Sequence, residues 1–117
     1  MSEHDTDERE QFTLAGVNEV VASVAPDREA VIFQDRRLTF GQLAERSRRL
    51  ASYLHSQGLG CHTERSELQP HESGQDHLGL YLYNGNEYLE GMLGAYKSRV
   101  APFNVNYRYV KSELHYL

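Results

Sequence analysis

Four residues of the types that bind zinc lie in one polar stretch of the sequence. CHTERSELQPHESGQDH, residues 61–77, contains Cys61, His62, His71 and His77. Thiolate and imidazole are preferred zinc ligands, but structural sites space them in pairs such as CxxC or HxxxH, and neither pair is present. Adjacent Cys and His side chains also cannot easily face one tetrahedral ion. The sequence therefore favours a solvated, flexible loop over a metal site.

The stretch YNGNE, residues 83–87, is the second candidate for chemistry, because doubly wound folds bind phosphate at a strand-to-helix turn. Gly85 is its only glycine, neither GxGxxG nor GxxxxGK[ST] matches, and no Lys follows to neutralise a phosphate. A tight turn with an Asn cap is the favoured interpretation. GxSxG and HExxH are also absent, and Cys61 has no identifiable base. We assign no catalytic, cofactor-binding or metal-ligating residue to this chain.

Aromatic residues crowd the C-terminal half and could form a binding surface. The tyrosines concerned are Tyr81, Tyr83, Tyr88, Tyr96, Tyr107, Tyr109 and Tyr116. Their spacing is more typical of a core edge with hydroxyl groups at the rim. Arg108 could hold an anion, although a structural ion pair is favoured. His55 and His115 are predicted to be surface or boundary residues of helices.

Hydrophobic periodicity predicts the elements that hold these residues. Thr13 is placed to cap a first helix, which Pro26 ends. Its apolar positions are Leu14, Val17, Val21 and Val24. The apolar run 30–33, a polar turn and a second apolar start at Leu38 predict a small two-stranded element.

The sequence LTFGQLAERSRRLASYLHSQG predicts a second helix. Thr39 and Gln42 form a capping box, Leu38 and Leu43 are spaced for a hydrophobic staple, and Gly58 ends the helix. The apolar face comprises Phe40, Leu43, Leu50 and Leu54, and the solvated face comprises Glu45, Arg46, Arg48 and Arg49.

A strand, a helix and a second strand follow. LGLYLYN, residues 78–84, is apolar on both faces and predicts an interior strand of a covered sheet. The next helix has Asn84 or Asn86 as its cap, and close backbone packing would explain Gly91 and Gly94. A strand at 101–105 completes a right-handed βαβ unit. The predicted fold class is α/β, with a partial, mostly parallel sheet and flanking helices.

Composition limits the class of protein. A net charge of −5 at pH 7 over 117 residues excludes a basic surface for nucleic acid. Residues 1–12 are predicted to be a disordered acidic tail, and residues 13–117 one partial α/β region with a polar loop at 61–77. A single cysteine excludes an internal disulfide, and no signal segment or membrane span is visible. A cytoplasmic protein is expected.

The last residues predict that the sequence continues beyond them. Val110, Leu114 and Leu117 have helical spacing, yet no Gly, Asn or Pro terminator follows. Two or three strands are also too few for a sheet covered on both faces. The sequence therefore suggests the opening of a larger domain.

Three motifs in order, RRLTFGQL, YLYNGNEYLEGMLGAYK and NVNYRYVKSEL, resemble the start of AMP-forming acyl-CoA synthetases of the adenylate-forming superfamily, near the actinobacterial fatty-acyl-CoA synthetases. The resemblance covers residues 13–117 except the loop 61–77. It implies an incomplete N-terminal portion of the synthetase large domain. Full-length relatives would join a fatty acid or other carboxylic acid to ATP with magnesium, and then transfer the acyl group to coenzyme A.

This sequence departs from the family's pattern in two respects. The phosphate loop, the Thr-Glu motif, the ribose-binding Asp and the C-terminal Lys of the family have no counterpart here, so the chain alone is expected to be inactive. Where the family has a short Pro-Gly-Asp turn, this sequence has 61–77, which a disrupted reading frame would also produce. The alternatives are a truncated interaction module that pairs with a full-length synthetase through its open sheet edge, and a non-functional gene remnant.

Overall fold

The computed structural model describes residues 12–117, which form four helices and two small sheets. In chain order the elements are α1 (Leu14–Val24), β1 (Glu29–Phe33), β2 (Arg36–Thr39), α2 (Phe40–Ser56), β3 (His77–Leu80), α3 (Asn86–Lys97), β4 (Ala101–Asn104) and α4 (Lys111–Tyr116). The acidic tail predicted for residues 1–12 lies outside the described residues, apart from Phe12. Within residues 12–117, no helix combines the length and the apolar composition that crossing a membrane requires.

Helix α1 begins where the sequence predicts. The Thr13 hydroxyl accepts a hydrogen bond from the Gly16 N–H at 3.0 Å, which satisfies one of the free donors at the helix start. The predicted apolar face is wrong in part, because Leu14, Val17 and Val24 are exposed. The helix instead packs on α2 and α3 through a side that includes buried Ala22, since a small side chain allows close approach.

Strands β1 and β2 form the predicted two-stranded element. They pair antiparallel, with Val31 opposite Leu38 and Phe33 opposite Arg36. Gln34 has a φ of 56° in the connecting turn, a left-handed conformation that tight hairpin turns require. The hairpin leads directly into α2.

The capping box at the start of α2 is confirmed. The Thr39 hydroxyl accepts from the Gln42 N–H at 3.1 Å, and the Gln42 side chain accepts from the Thr39 N–H at 2.9 Å. Gly58, with a φ of 81°, ends the helix as predicted. Arg46 and Arg48 are not simply solvated, because each pairs with a glutamate of another helix.

The predicted βαβ unit is present as β3, α3 and β4, with Leu78 beside Pro102 and Leu80 beside Asn104 in a parallel pair. The mostly parallel sheet consists of this pair alone, separate from the antiparallel hairpin. Strand β3 ends at Leu80 rather than at residue 84. The following residues, Tyr81, Leu82 and Tyr83, are exposed, because no other strand among residues 12–117 pairs with β3.

Helix α3 lies at the centre of the molecule and packs on α1, α2, β3 and β4. Both of its internal glycines permit close packing, as predicted. A Cβ atom on Gly91 would lie 2.8 Å from Leu80 Cδ2, and one on Gly94 would lie 2.7 Å from Leu50 Cδ2. The predicted Asn cap is wrong, since Gly85 is the N-cap and Asn86 is a buried helical residue.

The stretch 61–77 is polar and mostly exposed, but its backbone is hydrogen-bonded. Cys61 and Gln75 form an isolated antiparallel bridge, and the His62 N–H donates to Gly74 O at 2.7 Å. A short 3₁₀ turn spans Arg65–Glu67. This stretch is therefore a folded, hairpin-like connection between α2 and β3. At the other end of the described chain, Val110 and Leu117 are exposed beside α4.

Candidate functional site

The carboxyl ends of β3 and β4 are the part of this fold where a ligand would be expected. In open α/β sheets, ligands bind in the crevice beyond the carboxyl ends of the parallel strands. We define the carboxyl edge as residues 81–87, which follow β3, and residues 105–109, which follow β4. Most of the tyrosines identified in the sequence either belong to this edge or lie beside it.

Aromatic side chains from both strands meet at the carboxyl edge. The rings of Tyr83 and Tyr107 have centroids 5.0 Å apart at an interplanar angle of 49°. The Tyr81 hydroxyl donates to the Tyr109 carbonyl at 2.7 Å, which ties the segment after β4 to the segment after β3. The edge is therefore a small aromatic surface rather than an enclosed pocket.

Arg108 does not form the predicted ion pair. Its guanidinium lies over the Tyr107 ring, 5.5 Å from the centroid, which is a cation–π distance. None of the ion pairs found within residues 12–117 includes Arg108. The sequence did not indicate this contact, because it depends on the direction in which the chain leaves β4.

The YNGNE turn does not fit a phosphate group. Arg36, the cation that reaches it, donates to Glu87 Oε1 at 2.6 Å and to Asn86 Oδ1 at 3.3 Å. A hydrogen bond from its own backbone N–H, together with Arg36, lowers the pKa of Glu87 despite some desolvation. A carboxylate thus occupies the helix start where a phosphate would bind.

A second polar cluster lies between α2 and α3. Arg46 pairs with Glu90, and this hydrogen bond raises the pKa of the Arg46 guanidinium. The Asn86 amide also contacts Glu90, at 3.5 Å. Glu90 is buried on the packed side of α3, a position for which the sequence analysis gave no role. The sequence feature that could have indicated this buried residue is its position within the apolar pattern of the helix, one residue after Leu89 and two before Met92.

Lys97 is the second residue that sequence reasoning missed. Its side chain is only 6% exposed, and its ammonium donates to Asn18 Oδ1 at 2.7 Å and to Ser47 Oγ at 2.7 Å. It also pairs with Glu19 at 2.8 Å. Burial raises the pKa of Glu19, but hydrogen bonds from Arg48 and Lys97 outweigh it and leave that pKa lowered. The cluster joins three helices and engages the Lys97 ammonium in hydrogen bonds and an ion pair.

The four residues of the zinc hypothesis are not brought together. His62 Nε2 lies 2.5 Å from Asp76 Oδ2, and the Gly60 N–H donates to the same oxygen at 3.0 Å. His62 and then this N–H lower the pKa of Asp76. The Cys61 thiol contacts the Thr63 carbonyl instead. Across residues 12–117, no group of three or more His, Cys, Asp or Glu side chains could hold a metal ion.

A second ion pair of the stretch 61–77 joins it to the segment that follows α3. Arg99 pairs with both carboxylate oxygens of Glu64, at 2.7 and 2.9 Å, and the Gln75 side chain donates to the Arg99 carbonyl. Arg99 has a φ of 62°, which is unfavourable for a residue with a Cβ atom. These contacts hold the polar connection in place and give it a structural role.

The arrangement is a scaffold. It has a βαβ unit, a covering helix pair and an aromatic carboxyl edge, while its clustered charges are engaged with one another. This geometry defines a portion of an open α/β fold. The family model described as AMP-binding enzyme matches residues 18–117. The chain therefore belongs to the AMP-binding enzyme family.

Two relatives make the comparison more specific. The medium-chain acyl-CoA ligase Mig of Mycobacterium avium is 67% identical over 106 residues, which cover 91% of this chain and 19% of that protein. A 3-oxocholest-4-en-26-oate–CoA ligase of Rhodococcus rhodochrous is 38% identical over 106 residues, covering 91% of this chain and 17% of that protein. The chain thus spans about a fifth of the length of these relatives.

Solved structures agree on the fold. The crystal structure of a benzoate CoA ligase from Burkholderia xenovorans superposes with a TM-score of 0.73 at 22% identity, covering 90% of this chain and 19% of that one. At this identity the match establishes the fold alone. It confirms the predicted α/β class. The predicted resemblance to AMP-forming acyl-CoA synthetases is confirmed by the family match and by the two relatives above.

Proposed function

We propose that this chain is the N-terminal part of a fatty-acid–CoA ligase. Such an enzyme activates a carboxylic acid with ATP to an acyl-adenylate and passes the acyl group to coenzyme A. The observation that carries the proposal is the 67% identity to the medium-chain acyl-CoA ligase of M. avium over 91% of the chain. Medium-chain fatty acids are accordingly the substrate class we propose for the whole enzyme.

Within that enzyme, we propose that residues 13–117 act as one α/β region that supports the sheet, with ATP, magnesium and coenzyme A held by other parts. Adenylation needs cationic and N–H groups that face a developing charge. Three of the cations described above are already paired: Arg36 with Glu87, Arg46 with Glu90 and Lys97 with Glu19. The chain alone would therefore be inactive. A cytoplasmic location stays a prediction.

A chimaera tests the ligase proposal. The matching 106 residues of the M. avium ligase would be replaced by those of this chain, and thioester formation from octanoate, ATP and coenzyme A would be measured. We expect a rate within about tenfold of the parent enzyme, equivalent to about 1.4 kcal/mol in the barrier. A folded chimaera that makes no thioester would contradict the proposal.

A matched control shows whether the chimaera reports on this segment. The same chimaera carrying Gly94→Val should lose both stability and activity, because the added side chain would overlap Leu50. The 117-residue chain would be assayed in parallel for octanoate-dependent exchange of pyrophosphate into ATP. Exchange above background by the purified chain would show that it carries an adenylation site of its own.

A further inference from the structure

The polar residues 61–75, which we call the strap, are tied together at both ends. At the base, the Asp76 N–H donates to Gly60 O at 2.9 Å, and the Gly60 N–H donates to Asp76 Oδ2 at 3.0 Å. At the tip, the Arg65 guanidinium donates to two backbone carbonyls further along the strap. Because its two ends are closed in this way, the strap should open and close as one unit.

Few polar contacts join the strap to the rest of the molecule. Across residues 12–117, the hydrogen bonds and ion pairs that leave the strap end on Asp76, at its base, and on Arg99, after α3. The Arg99 guanidinium binds both carboxylate oxygens of Glu64, and the Arg99 carbonyl accepts a hydrogen bond from the Gln75 side chain at 2.8 Å. Away from its base, the strap is therefore fastened at one point of this range.

Arg99 lies at a backbone position that glycine usually occupies. Its N–H donates to Tyr96 O at 3.1 Å, and the next N–H, that of Val100, donates to Ala95 O at 2.8 Å. These two bonds define a Schellman motif, in which the residue after the helix cap has a left-handed φ, here 62°. Glycine suits this position because it has no Cβ atom. An arginine destabilises the helix end, but it makes a contact with Glu64 that glycine could not make.

The strap forms one wall of a cavity of about 630 Å³. Glu64 and Gln75 line the cavity on the strap side, and Thr13 and Ala15 line it at the start of α1. Val100, which is only 1% exposed, contributes to the wall formed by the end of α3. The hydrogen bonds that end α3 do not involve strap residues. Opening of the strap would therefore widen the cavity without unwinding this helix.

We propose that the strap is a lid that opens locally over this cavity, and that the Arg99–Glu64 pair is the latch that holds it closed. An isolated two-stranded hairpin is only marginally stable in water, so the strap should lose its internal hydrogen bonds when the latch is broken. Its side chains are mostly polar and exposed, and such segments open more readily than a packed core. The latch explains why an arginine occupies a glycine position. This proposal does not rest on the ligase function.

Hydrogen exchange of single amides in the 117-residue chain, followed by NMR, tests the proposal. The amides of His62 and Glu72, which donate within the strap, report on its base and tip, and the Val100 amide reports on the end of α3. We expect His62 and Glu72 to share one opening free energy and to be at least about tenfold less protected than Val100, a difference of about 1.4 kcal/mol.

Glu64→Lys breaks the latch by placing a second cation beside Arg99. It should speed exchange at His62 at least about tenfold and leave Val100 unchanged. Glu67→Lys is the matched control, because it makes the same change of charge within the strap, and none of the ion pairs within residues 12–117 includes Glu67. We expect Glu67→Lys to leave exchange at His62 unchanged.

Two substitutions of Arg99 separate the latch from the backbone conformation. Arg99→Gly and Arg99→Ala both remove the guanidinium, so both should free the strap to the same extent. Only glycine adopts the left-handed φ without cost, so Val100 should be better protected in Arg99→Gly than in Arg99→Ala.

The same comparison can be made in the chimaera with the M. avium ligase if the chain alone protects too few amides. An arginine-specific protease would cleave after Arg65 in the strap, with each rate divided by that of the denatured protein. Glu64→Lys should raise this ratio at least about tenfold, and Glu67→Lys should not. Protection of the strap equal to that of Val100, equal effects of the two glutamate variants, or a strap that stays closed in Arg99→Gly would each overturn the proposal.

Discussion

Lys97 is the buried cation that joins three helices through their side chains. Replacing it with methionine keeps the aliphatic volume but removes one donor each from Asn18, Ser47 and Glu19. Glu19 keeps its hydrogen bonds from Arg48. Hydrogen bonds to charged groups contribute roughly 1.5–3 kcal/mol each. We expect Lys97→Met to lower the free energy of unfolding by about 3 kcal/mol, measured by urea denaturation followed by circular dichroism.

Arg49→Met is the control for Lys97→Met, because it removes a cation from an exposed pair. Arg49 and Glu45 lie one helical turn apart on the surface of α2. Exposed pairs of this kind contribute about 0.3–0.5 kcal/mol. Equal losses in the two variants would show that the Lys97 cluster is as weak as a surface pair.

Four carboxylates of the ion pairs described above should make the free energy of unfolding depend on pH. The pKa of Glu19, Glu64, Asp76 and Glu87 is lowered in the folded chain. A lowered folded pKa means that the stabilisation is complete above the unfolded value, which is about 4.5 for Glu, and is lost as the pH falls through the folded value. The free energy of unfolding should therefore fall between about pH 5 and about pH 3.

Glu19→Gln tests the contribution of one carboxylate to that pH dependence. The variant cannot titrate at residue 19, so its free energy of unfolding should change less between the two pH values than that of the unaltered chain. Urea denaturation of both proteins at both pH values measures the difference. Identical pH dependence in the two proteins would show that the folded state does not favour the charged form of Glu19.

The central helix α3 depends on two glycines that differ in what surrounds them. Alanine stabilises a helix by about 1 kcal/mol relative to glycine. On Gly94, however, a Cβ atom would approach Leu50 Cβ and Cγ at 2.9 Å, so the α2 backbone would have to move. We expect Gly94→Ala to destabilise the chain by about 1–3 kcal/mol, measured by thermal or urea unfolding.

Gly91→Ala serves as the comparison. Its new Cβ atom would meet mainly the end of the Leu80 side chain, at Cδ2, which can rotate away. The gain in helix propensity then offsets most of the crowding, and the change in unfolding free energy should be small. A larger loss at Gly91 than at Gly94 would contradict this account of how α2 and α3 pack.

Local signals in the sequence were sufficient for the elements, but not for their surroundings. Thr13 and the Thr39–Gln42 box start helices because their hydrogen bonds span only a few residues. Residues 81–84 were predicted as strand because their apolar pattern suits a covered sheet, yet β3 ends at Leu80. The hydrophobic pattern of a segment does not show which other elements are present to cover it. For the same reason, the pattern predicted Val17 of α1 to be buried, whereas it is exposed.

The candidate site was less predictable than the fold. The absence of a phosphate-binding motif at YNGNE could be seen in the sequence, but the contact between Arg36 and Glu87 at this turn could not. Contacts between distant residues could not be seen. The Tyr83–Tyr107 pair, the Arg46–Glu90 pair and the Lys97 cluster each join segments that are far apart in the chain. The first depends on the pairing of β3 with β4, and the other two on the packing of α3.

The molecule as a whole is flat and only partly covered. Its Cα radius of gyration is 16.2 Å and its principal extents are 50, 40 and 24 Å. A compact domain of this length would have a radius of gyration of about 13 Å. Among residues 12–117, the largest fully buried side chains are Val100 and Ser47, and many apolar side chains are exposed. Such a chain buries little apolar surface, so its folding free energy should be small.

A marginal chain should become more stable when neighbouring parts of a larger enzyme cover its exposed apolar side chains. Anything that contacts only the folded state raises the unfolding midpoint. If the chain is the N-terminal part of a ligase, as proposed, these residues should unfold at a higher temperature in the chimaera with the M. avium ligase than in the 117-residue chain. We expect a difference of several degrees, roughly the shift that 1–2 kcal/mol produces in a domain of this size, measured by differential scanning calorimetry of both proteins. Equal midpoints would mean that the interior formed by α2 and α3 alone supports the fold.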